Sequence, residues 1–402
     1  MNQTTSKAAA FITPSLFILV LMISVGPFGD TIYAPSLPSI AEAFNTPYHN
    51  VQLTITFYLL GYSISQILYG PFSDRFGRKP IMIIGSVIFL IGSTICLMSP
   101  NIVILIFARF LQGFGACAGA VISSAAVRDA FLQKDQGKVF AKMNTAFAIA
   151  PGAGAIVGTF VPWQFNFIVL FVLSIILLIF VIWLFPETLK QKNYGATRPY
   201  KFVINYWSLY GTRGYFVYLC ILGLNIGMVY SCLVEAPGIV INILHLQKIW
   251  FIVIAAGIVF AFMLGSILCT YLCHKMSQNG ILLVGMLISL CGALLLLIFM
   301  LFDIVHLYSL LIPVIILFTG IAFVIPIATA KALAPFTITA GSASAMMGFF
   351  QMGTASLITA IITILPLSDT LSMPISFTIL SVLSIIILIA YTHRKFPRHQ
   401  TQ

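Results

Sequence analysis

Twelve times along this chain an apolar run recurs that is about 20 residues long, enough at helical rise to cross a hydrocarbon core. The runs fall at 12–37, 51–72, 80–99, 102–127, 139–161 and 165–185, then at 215–244, 249–273, 281–302, 307–334, 342–365 and 371–391. Lipid offers no partner to a bare backbone group, so each run must be a helix. Charged residues make up 7% of the 402 positions and hydrophobic ones 60%, whereas a soluble domain carries roughly 25% charged residues. The expected class is an all-α integral membrane protein with twelve transmembrane helices, its surroundings the lipid bilayer.

The placement of charge sets the topology. The net charge of +11 could suggest nucleic acid as a partner, but eighteen of the twenty Lys and Arg, in the connections or at the adjoining ends of spans, fall on one side of the twelve-span layout. That is the asymmetry of cytoplasmic loops; it excludes nucleic acid binding and puts both termini in the cytoplasm. Only Lys248 falls on the other side, and Arg109 sits within a span. The polar connection at 187–214 divides the chain into 1–186 and 215–402, six spans each, as expected for two pseudo-symmetric bundles around a cytoplasmic loop. Lys7 and the apolar stretch after it resemble a leader, but no small-residue cleavage site follows, so the stretch is read as an uncleaved first span.

Several chemistries are excluded. The seven Cys all lie in apolar segments and give no disulfide framework. Cys269, Cys273 and His274 lack a fourth ligand, the six His are scattered, and no GxxxxGK[ST] loop is present. No metal, no cofactor, no enzymatic activity and no direct ATP drive are therefore expected.

What remains is a short set of polar residues inside or between spans. Asp30 follows Gly26, Pro27 and Gly29 in the first span. A carboxylate at that depth costs at least ~2.5–3.5 kcal/mol, so it must be paired or exchange a proton, unless it caps backbone at a kink. Glu235, just before Pro237, is the second candidate proton carrier, or else a solvated residue at a channel mouth. Arg109 shares a helix face with Gln112, Gly113 and Ala116; Asp30 is its expected partner, the alternative being bonds to backbone carbonyls alone. Gly115-x3-Gly119 and Gly154-x3-Gly158 are small-residue repeats that would let the fourth and fifth helices pack closely. Phe57, Tyr58, Tyr62, Phe147, Tyr230 and Phe323 are candidates to line a central cavity.

The stretch GPFSDRFGRKP at 70–80 resembles the signature loop between helices two and three of the major facilitator superfamily. RFLQGFGACAGAVISSAAVRD (109–129) resembles its helix-four motif, APGAGAIVG (150–158) its helix-five antiporter motif, and PET (186–188) the end of helix six. DTIYAPSLPSIA, QILYGPFSDRFGRKP and AGSASAMMG point to the bicyclomycin/chloramphenicol-resistance type of bacterial drug–proton antiporter. The resemblance implies the major facilitator fold in a bacterial inner membrane, working as a monomer. It also implies export of small organic compounds, driven by protons, by alternating access. Dedicated export of one endogenous metabolite such as a siderophore, or proton-coupled uptake of a nutrient, are alternatives on the same fold.

Proton and substrate coupling is expected of Asp30, Glu235, Arg109 and Gln112, and the resemblance favours a role for Arg109 in proton relay. It assigns an inner latch to Gly70, Asp74, Arg75, Gly77, Arg78 and Asp129. Within that latch Gly70 would allow close approach and Gly77 a tight turn, while Asp74 would face the N-terminal end of the eleventh helix. In helix five Pro151, Gly154 and Gly158 match the motif, but Ala155 and Thr159 stand where the family has a second Pro and a closing Gly.

Overall fold

The computed structural model describes residues 13–197, 200, 209, 211–336, 340–365 and 370–394. Among them are twelve helices long and apolar enough to cross a membrane. The first six are Leu16–Ala43, Tyr48–Phe76, Arg78–Leu97, Ile102–Ala130, Gln133–Phe160 and Trp163–Leu184. The last six are Gly214–Ile243, Trp250–Cys273, Gln278–Leu301, Leu307–Leu333, Gly341–Ile364 and Ser372–His393. Of the basic residues counted above, Lys7, Arg198, Lys201, Lys395 and Arg398 lie outside the described residues.

Local chemistry explains the helix ends. Asn101 accepts from the Ile104 amide at 3.0 Å and so starts the fourth span, and Ser277 does the same for Gly280 at 3.2 Å, each satisfying an orphan donor of the first turn. Phe107, Ile84, Ile149, Leu357 and Ile386 are exposed, as lipid-facing side chains must be.

Three boundaries differ from expectation. The first span is broken after Thr31: a 3-10 turn at Ala34–Ser36 leads into a second helix, Leu37–Ala43. The fifth span begins at Gln133, so Lys134, Asp135 and Lys138 extend the helix instead of preceding it. The stretch 70–80, read as a loop, is mostly helix, because the second span continues through Gly70 and Pro71 to Phe76 and only Gly77 turns.

The glycine repeats also pack otherwise than expected. A Cβ on Gly115 would lie 2.3 Å from the Phe89 amide of the third span, and one on Gly119 would lie 1.9 Å from the Met22 carbonyl of the first. At Gly158 it would meet the Ile32 carbonyl at 1.7 Å. The fourth and fifth helices therefore use these repeats to clasp the first and third spans, not each other.

One hydrophobic core around Ile18, Met22, Tyr58, Phe89 and Phe167 unites the first six spans. Two further clusters, about Phe318 and Leu282, lie mainly among the last six. The two sets meet along the second and eleventh spans. There Thr56 donates to Thr359 and Ser356 to the Thr56 carbonyl, both at 2.9 Å. Further along, Ser63 donates to the Phe349 carbonyl at 2.9 Å.

Candidate functional site

Asp30 lies on this seam, 3% exposed. Gly26 and Gly29, lacking a Cβ, leave room for side chains of neighbouring helices to lie close to the backbone here. Tyr58 donates to the Gly26 carbonyl at 2.9 Å, and Arg109 to the Gly29 carbonyl at 3.1 Å. The Asp30 Oδ2 accepts from the Tyr230 hydroxyl at 2.8 Å. Tyr230 belongs to the seventh span, so this bond joins the first six spans to the last six. A cleft of about 10 Å³ runs between Pro27, Asp30, Tyr58, Tyr62, Phe147 and Tyr230, room for about one water molecule.

Arg109 does not pair with Asp30. Among the described residues the ion pairs within 4.0 Å are those of Arg78. The Arg109 guanidinium, fully buried, is held by the Gly29 carbonyl and by Gln112 Oε1. It lies 4.8 Å from the Tyr33 ring and 4.3 Å from that of Tyr58, close enough for cation–π attraction. Gln112 is fixed in turn by donating to Ser93 at 2.8 Å. The positive charge thus sits one residue along the backbone from Asp30 without neutralising it directly.

At the basic face, Arg78 is the hub. Its guanidinium meets Asp74 at 2.6 Å, Ser73 at 2.6 Å and Asp129 at 2.8 Å. Arg75, expected in this network, is elsewhere: it donates to Thr197 and lies over the Phe76 ring at 5.0 Å. Asp74 is taken up by Arg78, and it is Glu187, of the PET triplet, that faces a helix N-terminus. Its carboxylate accepts from the Arg78 amide at 3.0 Å and the Lys79 amide at 3.2 Å, where the helix dipole favours an anion. Gly77 has φ +114°, and a Cβ there would lie 2.5 Å from Glu187 Oε2. Gly70 serves no close approach, since a Cβ added to it meets nothing within 4 Å.

Residues 19–363 match the profile of the Major Facilitator Superfamily. The chain belongs to that superfamily. It is 30% identical over 286 residues to an uncharacterized transporter of Rickettsia bellii (strain RML369-C), 69% of each chain. It is 24% identical over 376 residues to Multidrug resistance protein D of Escherichia coli (strain K12), covering 92% of this chain and 94% of that one. A crystal structure of a D-xylose–proton symporter superposes with a TM-score of 0.74 at 15% identity, covering 93% of this chain and 95% of the other. The fold is thus the major facilitator fold, and the protein is a transporter, not an enzyme.

Within this superfamily member the remaining candidates fall in different places. Glu235 is 4% exposed, so it is not a solvated mouth residue; it lines a separate cavity of about 530 Å³ at the face opposite Arg78. Pro151 lies inside the fifth helix, and Gly154 and Gly158 beyond it carry the contact with the first span. Phe57 and Phe323 are not in the cleft beside Asp30. Phe57 packs on Phe107 with centroids 6.3 Å apart, and Phe107 is 61% exposed on the lipid side. Phe323 is buried against Gly285 of the ninth span.

The sequence reading assigned no role to Lys248 beyond its odd position. Its ammonium donates to Ser36 Oγ at 2.8 Å and to the Val161 carbonyl at 3.0 Å, tying the connection after the seventh span to the first and fifth. Burial pushes its pKa down to about 8. The signal was its being the one basic residue counted on that side.

Proposed function

We propose that this transporter is a proton-coupled antiporter that expels small organic compounds from the bacterial cytoplasm. The Arg78 face is then cytoplasmic and both termini lie on that side. Two six-helix bundles, 1–186 and 215–402, rock about the seam where Asp30 lies. The observation that carries this reading is a buried carboxylate in one bundle held by a single hydroxyl from the other.

The chemistry follows from that bond. Ionised, Asp30 is an acceptor for Tyr230 and feels the positive charge of Arg109 held on the neighbouring carbonyl. A proton on Asp30 removes its charge and weakens what it offers Tyr230, since hydrogen bonds to charged groups are about twice as strong as neutral ones. Loading a proton therefore loosens the seam, and losing it restores the tie. Cargo that displaces the Tyr230 hydroxyl competes with the same bond, which links its passage to the proton. Arg78, Asp74, Asp129 and Glu187 would close the cytoplasmic side between cycles. The E. coli relative named for multidrug resistance supports the drug-export side of this reading.

The test is proton release from detergent-purified protein on adding candidate drugs, with Asp30→Asn and Glu235→Gln compared. Release abolished by Asp30→Asn is the expected result. Release and pH-driven transport unchanged in that variant would overturn the assignment.

A further inference from the structure

Lys134, Lys138 and Lys142 recur every fourth residue at the start of the fifth span, so their side chains stand one above another on a single helix face. All three are exposed. None makes a hydrogen bond or ion pair among the described residues, whereas Lys248 and Lys331 each donate to protein groups. Like charges one turn apart repel, and the protein supplies no counter-charge. Asp135, the acid in the first turn, forms no ion pair among the described residues either.

The same face continues into the membrane. Ile149 and Ile156 follow Lys142 at intervals of seven residues, about two helical turns, and Phe160 lies four residues beyond. All three are exposed. The opposite face, with Met143, Ala150, Gly154 and Gly158, is buried, and its glycines lie on Thr31 and Ile32 of the first span. The lysines are therefore in register with a lipid-facing row and not with a contact between helices.

Depth selects the partner. The helix Gln133–Phe160 has 28 residues, about 42 Å at helical rise, against a hydrocarbon core of about 30 Å. Counted back from Phe160, where the span ends, Lys142 lies eighteen residues away, about 27 Å and so at the edge of the core. Lys138 and Lys134 lie about 6 and 12 Å further, in the headgroup layer and at its water side. An excess of basic residues on one side fixes topology in any register. It does not require three lysines to line up above a row of exposed apolar side chains. A soluble anion meets the lysines alone, but a molecule with an anionic head and apolar tails meets both halves of the stripe at once.

We infer that the lysine-bearing end of the fifth helix is a binding site for an anionic phospholipid, with the phosphate between Lys138 and Lys142 and the acyl chains along Ile149 and Ile156. The site depends on neither the direction of transport nor its driving force.

The full chain in detergent is titrated with phosphatidylglycerol and, separately, with phosphatidylcholine of the same acyl chains, and bound lipid is counted by native mass spectrometry. Wild type should bind phosphatidylglycerol about tenfold more tightly or better. Each basic residue near an anionic headgroup contributes about fivefold, so Lys138→Gln/Lys142→Gln should weaken phosphatidylglycerol binding by about tenfold or more and leave phosphatidylcholine unchanged. Both positions are exposed, so glutamine leaves the packing untouched. Lys138→Arg/Lys142→Arg should bind as wild type does. Lys190→Gln/Lys192→Gln removes the same charge from the connection after the sixth span and should stay within about twofold of wild type. Equal affinity of wild type for the two lipids, wild-type affinity in Lys138→Gln/Lys142→Gln, a matching loss in the Lys190 and Lys192 pair, or displacement of the lipid by equimolar inorganic phosphate overturns the site.

Discussion

Tyr230 and Asp30, two hundred residues apart in sequence, share a hydrogen bond of 2.8 Å across the seam between the first and last six spans. Tyr230→Phe removes the donor and nothing else of consequence. A hydrogen bond to a charged acceptor contributes about 1.5–3 kcal/mol, so under the proposed proton antiport, transport in proteoliposomes should fall by about tenfold or more, while the protein stays folded. Unchanged transport under an imposed pH gradient would remove this bond from the mechanism.

Arg109 gives a second expectation. Its guanidinium uses its planar fork on the Gly29 carbonyl and Gln112, and its faces on Tyr33 and Tyr58. Lysine keeps the charge but has neither fork nor face. Arg109→Lys should therefore lower the melting temperature by several degrees and reduce transport about tenfold. A variant indistinguishable from wild type in both would mean that only the charge matters at this position.

Much of this was legible from residues alone, and the limits are physical. Lipid forces apolar length and helical backbone together, so twelve spans could be counted directly, and a lone buried Arg announced a site. Partners across the bundle could not be read. Asp30 and Arg109 are the obvious ionic couple, yet helix geometry gives the guanidinium a carbonyl and two rings, and gives the carboxylate a tyrosine. Charge was also mistaken for loop: Asp74, Arg75 and Arg78 were taken to end the second span near residue 72, but a helix continues readily through the interface, and Asp74 and Arg78 meet as an i,i+4 pair. Phenylalanine carries no mark separating lipid from cavity, which is why Phe57 and Phe323 were misplaced while Tyr58, Tyr62 and Tyr230, each with a hydroxyl to satisfy, gather near Asp30.

Gly77 provides a stability prediction at the face where Arg78 lies. Its φ of +114° suits glycine alone, and a methyl group there would press on Glu187 Oε2 at 2.5 Å. Gly77→Ala should cost at least about 1–2 kcal/mol from backbone strain and should also disturb the cap on Arg78 and Lys79. Thermal unfolding in detergent should show the loss. Glu187→Gln, which keeps the shape and removes the charge, should cost less.

Lys248 is where pH enters. Burial against Ser36 and Val161 holds its pKa at about 8, below the ordinary 10.5. The structure with this contact therefore binds fewer protons than a chain in which the lysine is in water, over the window from about pH 8 to 10.5. Stability must rise with pH across that window and be flat in this respect below it, where both forms are charged. The groups facing the ammonium are a hydroxyl, itself held by Asn166 at 2.8 Å, and a carbonyl, so no titrating partner reverses the sign. In Lys248→Met the ionisation is gone. The melting temperature of wild type relative to this variant should accordingly climb between pH 8 and pH 10, and a difference that stays constant over that range would show that the lysine is solvated instead of clamped.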